Sequence, residues 1–354
     1  MIRVGVVGFG MATRVFHAPL ISSVDGFELA AVVERHSNEA AARYPGIVTY
    51  RSLGELLADS SLDLIVVATP SGTHFDVARE VIAAGKNLVV DKPVAMHSSE
   101  IAELIALAAE RGVMLVPFHN RRWDADFLTV RQLVADNAVG RLVAFESRMD
   151  RWSPGATRKP WKNDMAQGGG VLHDLGTHVA YLALVLFGNP EAVSAEVDRE
   201  RDGEGANDSF DIRLRYPGFR VTLGANMLSS LPGPRFLLRG TAGNFLKFGL
   251  DPQEAALNKI TRIESPDWGK EPPSAWGTLV VAAEGGMISR TIETVPGDYR
   301  RFYGGLRDAI LGRGELPVRA IEAWRAARIL EWAQESSAAR REILCDWTQN
   351  PSRA

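Results

Sequence analysis

The 354-residue chain has a single cysteine, Cys345. One thiol excludes an intramolecular disulfide and a zinc site built on several thiolates, and it suits a reducing compartment. Long apolar runs are also missing: the longest, such as Val179 to Phe187 (VAYLALVLF), fall well short of the roughly 20 residues that cross a bilayer. The opening MIRVGVVGFG lacks a basic stretch followed by a small-residue cleavage site, so a cytoplasmic protein with no membrane partner is expected. Neither charge sign dominates, since 40 Lys and Arg face 43 Asp and Glu, and a net charge of −3 supplies no attraction for nucleic acid. A small-molecule partner is therefore the expectation.

What is present is ordinary for a globular enzyme: 46% apolar residues and 23% charged ones, in a chain long enough for two domains. The first third alternates buried-strand runs (IRVGVVG, FELAAVV, LDLIVVAT, KNLVVD, VMLVPF) with helical stretches at 14–24, 38–44, 53–58, 74–84 and 98–111. Continuous apolar strands separated by helices imply a parallel sheet covered on both faces. The predicted fold class is thus α/β, with a doubly wound Rossmann sheet over residues 1–121. After Arg121 the rhythm changes. One helix at 123–137 precedes the strand RLVAFESRM, a Gly/Pro/Trp-rich loop at 152–170 and an apolar helix. Then come EAVSAEVDRE, DSFDIRLRY, FRVTLGANML, RFLLRGT, FLKFGL, TLVVAAE and ISRTIETV, with the turn YPGF joining two of them, and two closing helices at 298–311 and 319–340. Successive strands of this kind predict a C-terminal α+β domain over 122–354, with a large, mostly antiparallel open sheet.

Chemistry concentrates at strand ends. Gly8 and Gly10, with Met11 and Ala12 opening the next helix, follow the first strand as a dinucleotide fingerprint requires, although Thr13 replaces the third glycine; a plain glycine turn is the alternative. Glu34 ends the second strand where an acid would bind ribose hydroxyls, which favours NAD weakly over NADP. Arg35 beside it is suited to adenine or to a 2′-phosphate. Thr69, Pro70 and His74 sit where doubly wound folds place ligands, and His74 doubles as a helix-start residue. Asp91 and Lys92 end the fifth strand before Pro93, so Lys92 is either a loop lysine or a donor to a substrate oxygen on which charge develops. Asn120, Arg121 and Arg122 either reach a ligand or pair between domains.

The stretch GGGVLHDLGTH, Gly168 to His178, places Asp174 and His178 one helical turn apart. If a hydride leaves a secondary alcohol, the hydroxyl proton must leave too, and a neutral imidazole suits that task near pH 7. The set His178, Asp174 and Lys92 covers base, orienter and electrostatic partner. The alternative is a helix cap at Asp174 and a satisfied core histidine at His178; a metal site is weaker, because further ligands are not evident.

The segments GFGMATRVFHAPL, TPSGTH, DKP, HNRRWD and HDLGTH, in this order, together with FGLDPQEAAL and DWG, resemble the glucose-fructose oxidoreductase/inositol dehydrogenase (Gfo/Idh/MocA) family, and within it the scyllo-inositol dehydrogenase-like branch. The resemblance implies NAD or NADP as cofactor, a polyol or sugar substrate, and a homodimer or homotetramer through the C-terminal sheet. It places the family lysine on Lys92 and the D-x-x-x-H pair on Asp174 and His178, with histidine as acid/base. Asp91 stands where many members have Glu, and His173 where close relatives often carry Tyr. A polyhydroxylated ring would suit a pocket of Arg121, Arg122, Asp150, Arg151, Trp161 and His173. An NAD-dependent glycosidase working by transient oxidation, or a non-catalytic dinucleotide sensor, are the competing expectations.

Overall fold

The computed structural model describes residues 1–155, 163–164, 168–260 and 262–351. Six strands form the first sheet: β1 (Ile2–Val7), β2 (Phe27–Val33), β3 (Val48–Tyr50), β4 (Leu64–Val67), β5 (Asn87–Val90) and β6 (Leu115–Pro117), in the order β3-β2-β1-β4-β5-β6 and parallel throughout. Helices α1 (Ala18–Ser23), α2 (Glu39–Arg43), α3 (Leu53–Leu57), α4 (His74–Ala83) and α5 (Ser98–Arg111) supply the crossovers. The strand order reverses between β1 and β4, and the crevice outside their carboxyl ends is where such sheets bind ligands. Strand β3 was not expected from the sequence: three half-exposed residues at a sheet edge carry too little apolar pattern to be recognised.

The rest of the chain builds a nine-stranded sheet. After α6 (Ala125–Ala135) come β7 (Leu142–Arg148), α7 (Thr177–Phe187), β8 (Ala192–Asp198), β9 (Ser209–Tyr216), β10 (Phe219–Asn226), β11 (Phe236–Gly240), β12 (Gly243–Lys247), α8 (Gln253–Leu257), β13 (Gly277–Ala283), β14 (Gly286–Ile292), α9 (Arg300–Ile310), α10 (Ala320–Ala339) and β15 (Ile343–Leu344). The order is β14-β13-β12-β11-β7-β10-β9-β8-β15, antiparallel except where β10 runs parallel to β7. The YPGF hairpin forms as read: Pro217 sets φ at the first turn position and Gly218 takes φ +80° at the second. The helix expected from Trp123 starts instead at Ala125, because Asn120–Trp123 makes a 3₁₀ turn first. Two-residue β15 also escaped the pattern.

Helix α7 explains why the site lies deep. Its first seven residues, Thr177 to Ala183, are all buried, an apolar helix covered by β10 on one side and α10 on the other. Helix α10 also packs on α5, so one helix ties both sheets together. No helix among the described residues is long and apolar enough to cross a membrane.

Candidate active site

The glycine run is shaped by close approach on both sides. Gly168 has φ +81°, and a Cβ there would meet Met96 Sδ at 2.7 Å and Ser71 Cβ at 3.1 Å, both from the first sheet's loops. Gly170 has φ +98°, and a Cβ would lie 2.9 Å from the Asn207 amide. Asn207 holds the next turn, accepting Val171 N–H on its carbonyl and Leu172 N–H on Oδ1, each at 2.9 Å. Only glycine lets the backbone pass between these walls.

Past this passage, Leu172–Gly176 forms a π-type turn that runs into α7. Its i→i+5 bonding widens the spacing, so Asp174 and His178 do not stack as an ideal α-helix would place them. Asp174 stays at the cleft surface, its side chain 38% exposed, while His178 lies below it and buried. Lys92, from the end of β5, donates to the Asp174 carbonyl at 2.7 Å and to Oδ1 at 2.8 Å. The two domains therefore meet through this pair, and the Asp174 carboxylate holds the ammonium; it was expected to orient the imidazole. His178 Nδ1 has no hydrogen-bond partner. Burial, then the charges of Lys92 and Arg121, hold the His178 pKa well below the usual imidazole value. The ring is accordingly a neutral base at pH 7.

A cleft of about 210 Å³ opens over Asp174, lined by Ser71 and Pro93 from the first sheet and by Gly168–Gly170, Arg151, Arg201 and Asn207 from the second. At the end of β1, Gly8 takes φ +94° and its added Cβ would press on Ala68 O at 3.2 Å, whereas a Cβ at Gly10 would meet nothing within 4 Å. Bare backbone at the start of a helix is what a pyrophosphate needs. Thr13, in place of the third glycine, donates its hydroxyl to Gly8 O at 2.6 Å and so fastens the turn from inside. Met11 is exposed and Ala12 half-buried beside it.

Several expected ligands prove to be braces. Glu34 is buried and its carboxylate caps α2, accepting from Ser37 Oγ (2.5 Å), Ala40 N–H (2.9 Å) and Glu39 N–H (3.1 Å). It is therefore turned away from a ribose, while Arg35 next to it is exposed. His74 has both ring nitrogens against backbone carbonyls, of Pro93 at 2.7 Å and Thr69 at 2.8 Å, so it ties two strand-end loops together and offers nothing to a cofactor. Asp91 accepts the Lys92 N–H at 2.7 Å, setting the lysine's first bond, and Thr69 and Pro70 remain at the crevice edge. Arg121 is buried between Asp124 (3.3 Å) and Glu254 (2.8 Å), and Arg122 binds Tyr181 Oη and Glu322, both at 2.9 Å. Asp150 is held by Arg148 at 2.9 Å and by the N–H groups of Asn226 and Gly233 at 3.1 Å. All three side chains are thus engaged by groups of the protein itself. His173 lines a second, smaller hollow with His119 and Glu331 and is absent from the lining of the cleft. Asn120 is buried as the first residue of the 3₁₀ turn, and Trp161 lies outside the described residues.

Comparison with known proteins places this arrangement. Residues 2–119 match the family model described as an oxidoreductase family with an NAD-binding Rossmann fold, and residues 127–246 match the GFO/IDH/MocA C-terminal domain. The chain belongs to the Gfo/Idh/MocA oxidoreductase family. It is 39% identical to the uncharacterized oxidoreductase YdgJ of Escherichia coli K12, over 97% of this chain and 98% of that one. It is 32% identical to the scyllo-inositol 2-dehydrogenase (NADP(+)) IolW of Bacillus subtilis 168, over 98% and 96%. The solved structure of yvaA from Bacillus subtilis superposes with a TM-score of 0.94 at 32% identity, covering 98% of both chains.

One feature of this Gfo/Idh/MocA chain escaped sequence reasoning. His119, two residues beyond β6, stacks on Tyr181 with ring centroids 3.9 Å apart and planes 6° from parallel. Both its ring nitrogens are buried without a partner, and burial, then Lys92 and Arg122, push its pKa down to about 3. His17 is pushed down to about 4, by burial first. Neutral buried histidines make stability depend on pH in one direction. The unfolded chain takes up protons near pH 6.5 and the folded one much lower, so stability present above pH 6.5 is lost on acidification, at about 1.4 kcal/mol per pH unit per histidine. The urea midpoint should fall steeply from pH 7 to pH 5, and His17→Gln should flatten that slope; a midpoint independent of pH would show these rings to be solvated.

Proposed function

We propose that the protein is an NAD(P)-dependent dehydrogenase acting on a secondary alcohol of a cyclic polyol or sugar. The observation that carries this reading is the meeting of Lys92 and Asp174 at 2.8 Å across the domain boundary, close enough to the buried His178 for the Lys92 charge to help hold its imidazole neutral. Gly8, Gly10 and the crevice edge at Thr69 and Pro70 would hold the dinucleotide, which would supply the hydride acceptor. The chain's own residues handle the proton and the charge: Lys92 donates to the alcohol oxygen and stabilises it as negative charge develops, and His178 takes the hydroxyl proton. Asp174 fixes the ammonium through its carbonyl and its carboxylate. Burial of His178 keeps it unprotonated until it is needed. The test is a screen of inositols, aldoses and lactones with NAD and with NADP, following absorbance of the reduced nicotinamide. Absence of turnover with every alcohol, together with sugar release from an aryl glycoside, would favour the glycosidase alternative.

For the cofactor, the same reading takes NADP. With Glu34 accepting three hydrogen bonds from Ser37 and the α2 N–H groups, the carboxylate that argued for NAD is engaged in a helix cap, and exposed Arg35 supplies a guanidinium for a 2′-phosphate. IolW, named as NADP-dependent, is consistent with this. Arg35→Ala should raise KM for NADP about tenfold and KM for NAD far less; an equal effect on both would remove Arg35 from the phosphate. Glu34→Gln, by contrast, should lower stability by about 1 kcal/mol through the weakened cap.

A further inference from the structure

The second-sheet wall of the cleft carries two guanidinium groups that the proposed proton transfer does not use. Arg201, in the β8–β9 connection, is 89% buried at the side chain, being 11% exposed. Its nearest acid is Asp208, at 3.8 Å from Nε, too far for a hydrogen bond, and Nε has no partner. Asp208 cannot neutralise it alone. That carboxylate is shared with Arg199, also at 3.8 Å, and already accepts the N–H groups of Glu200 (2.8 Å) and Arg201 (3.2 Å). Arg199 is satisfied elsewhere, on the carbonyls of Gly203, Ala206 and Asp202 at 2.7, 3.2 and 2.9 Å. Arg201 is left as a largely desolvated cation with an open donor, a costly arrangement unless an acceptor completes it.

Arg151 enters the same cleft from the strand end after β7. Its backbone is fixed, donating to Asn226 O at 2.9 Å and accepting Ser229 N–H at 3.1 Å, while its side chain is exposed. Asp174, the other acid in the lining, is held by Lys92. The cleft therefore presents two guanidinium forks beside Asn207 and no carboxylate free to answer both.

Resting on the dehydrogenase reading, we propose that the substrate is an acidic polyol or sugar, whose anionic oxygen group binds between Arg151 and Arg201. A carboxylate, as in a uronate or aldonate, and a phosphate ester share the chemistry these planar forks recognise, two oxygens accepting parallel N–H bonds. A neutral cyclitol brings no charge to the two guanidinium groups that line the cleft, which a site built for an anion penalises.

The experiment compares kcat/KM for a matched set with the cofactor bound: hexuronate, aldonate, hexose 6-phosphate and the corresponding neutral hexose and alditol. The expected result is a preference of at least about tenfold for one of the acids, with the carboxylate and phosphate arms identifying which group is bound. Arg201→Gln and Arg151→Gln should each cut that acid-to-neutral ratio about tenfold, and Arg201→Lys should restore part of it. Neutral compounds turned over as well as acids, with the ratio unmoved in the glutamine variants, would overturn the proposal while leaving the dehydrogenase reading standing. Should no compound be turned over, calorimetric titration of the NADP-loaded protein with glucuronate, gluconate and glucose 6-phosphate decides it separately: binding of an acid that weakens in Arg201→Gln supports the subsite, and no binding overturns it. Thermal unfolding of each variant distinguishes loss of the ligand contact from loss of the fold.

Discussion

Lys92→Met is expected to lower kcat for alcohol oxidation by about 100- to 1,000-fold, with the dissociation constant of the dinucleotide changed by less than about threefold. The scale is that of removing one preorganised donor from a developing oxyanion. The lysine is well placed for this effect. It ends a fully buried strand, its side chain is 17% exposed, and its ammonium is held at 2.7 and 2.8 Å by the Asp174 carbonyl and carboxylate. A positive charge pinned in that way needs no reorganisation when charge appears on the substrate. Lys92→Arg should rescue little, because a planar fork cannot keep both Asp174 contacts and the substrate oxygen. Steady-state kinetics with cofactor fluorescence titration measures both quantities. Ordinary turnover by Lys92→Met would leave the lysine a mere strut between domains.

His178→Asn should cost about 100- to 10,000-fold in kcat, the range for a positioned acid/base. A further signature separates this from simple damage to the core. In the wild-type protein the imidazole is held well below its usual pKa, first by burial and then by Lys92 and its other cationic neighbours. Protonation inactivates a base, so the acid limb of kcat/KM should be displaced to more acidic pH than that of an ordinary histidine. In His178→Asn that limb should vanish, and the residual rate should climb with pH as hydroxide substitutes for the ring. An unshifted limb near pH 6.5 in the wild type would mean that another group carries the proton. His119 is the neighbouring imidazole to examine in that event, since it is buried, neutral and without partners on either ring nitrogen.

Much of this was legible along the chain. The continuous apolar runs that became β1, β2, β4, β5 and β6 could only be strands of a covered parallel sheet, and local alternation sufficed to place β7 through β14. Lys92, Asp174 and His178 were recognisable because each stands at a position that topology makes functional: a strand's carboxyl end, and the helix that follows a glycine run. Short edge strands escaped, since three residues of β3 and two of β15 take their conformation from the neighbour they pair with.

What only the tertiary structure decided is how each polar side chain is employed. Glu34, His74, Arg121, Arg122 and Asp150 have the composition of ligands and the positions of ligands, yet each is consumed by a backbone group or an ion pair that lies far away in sequence or beyond the reach of periodicity, as in the 2.8 Å pair between Arg121 and Glu254. Arg201 shows the converse, a residue in an unremarkable loop that burial and a crowded carboxylate leave with an open donor. Periodicity reports which face of an element is apolar. Hydrogen-bond satisfaction depends on partners brought together by the fold, and that is why the elements carrying Lys92, Asp174 and His178 could be read from the sequence while the partners of the polar side chains could not.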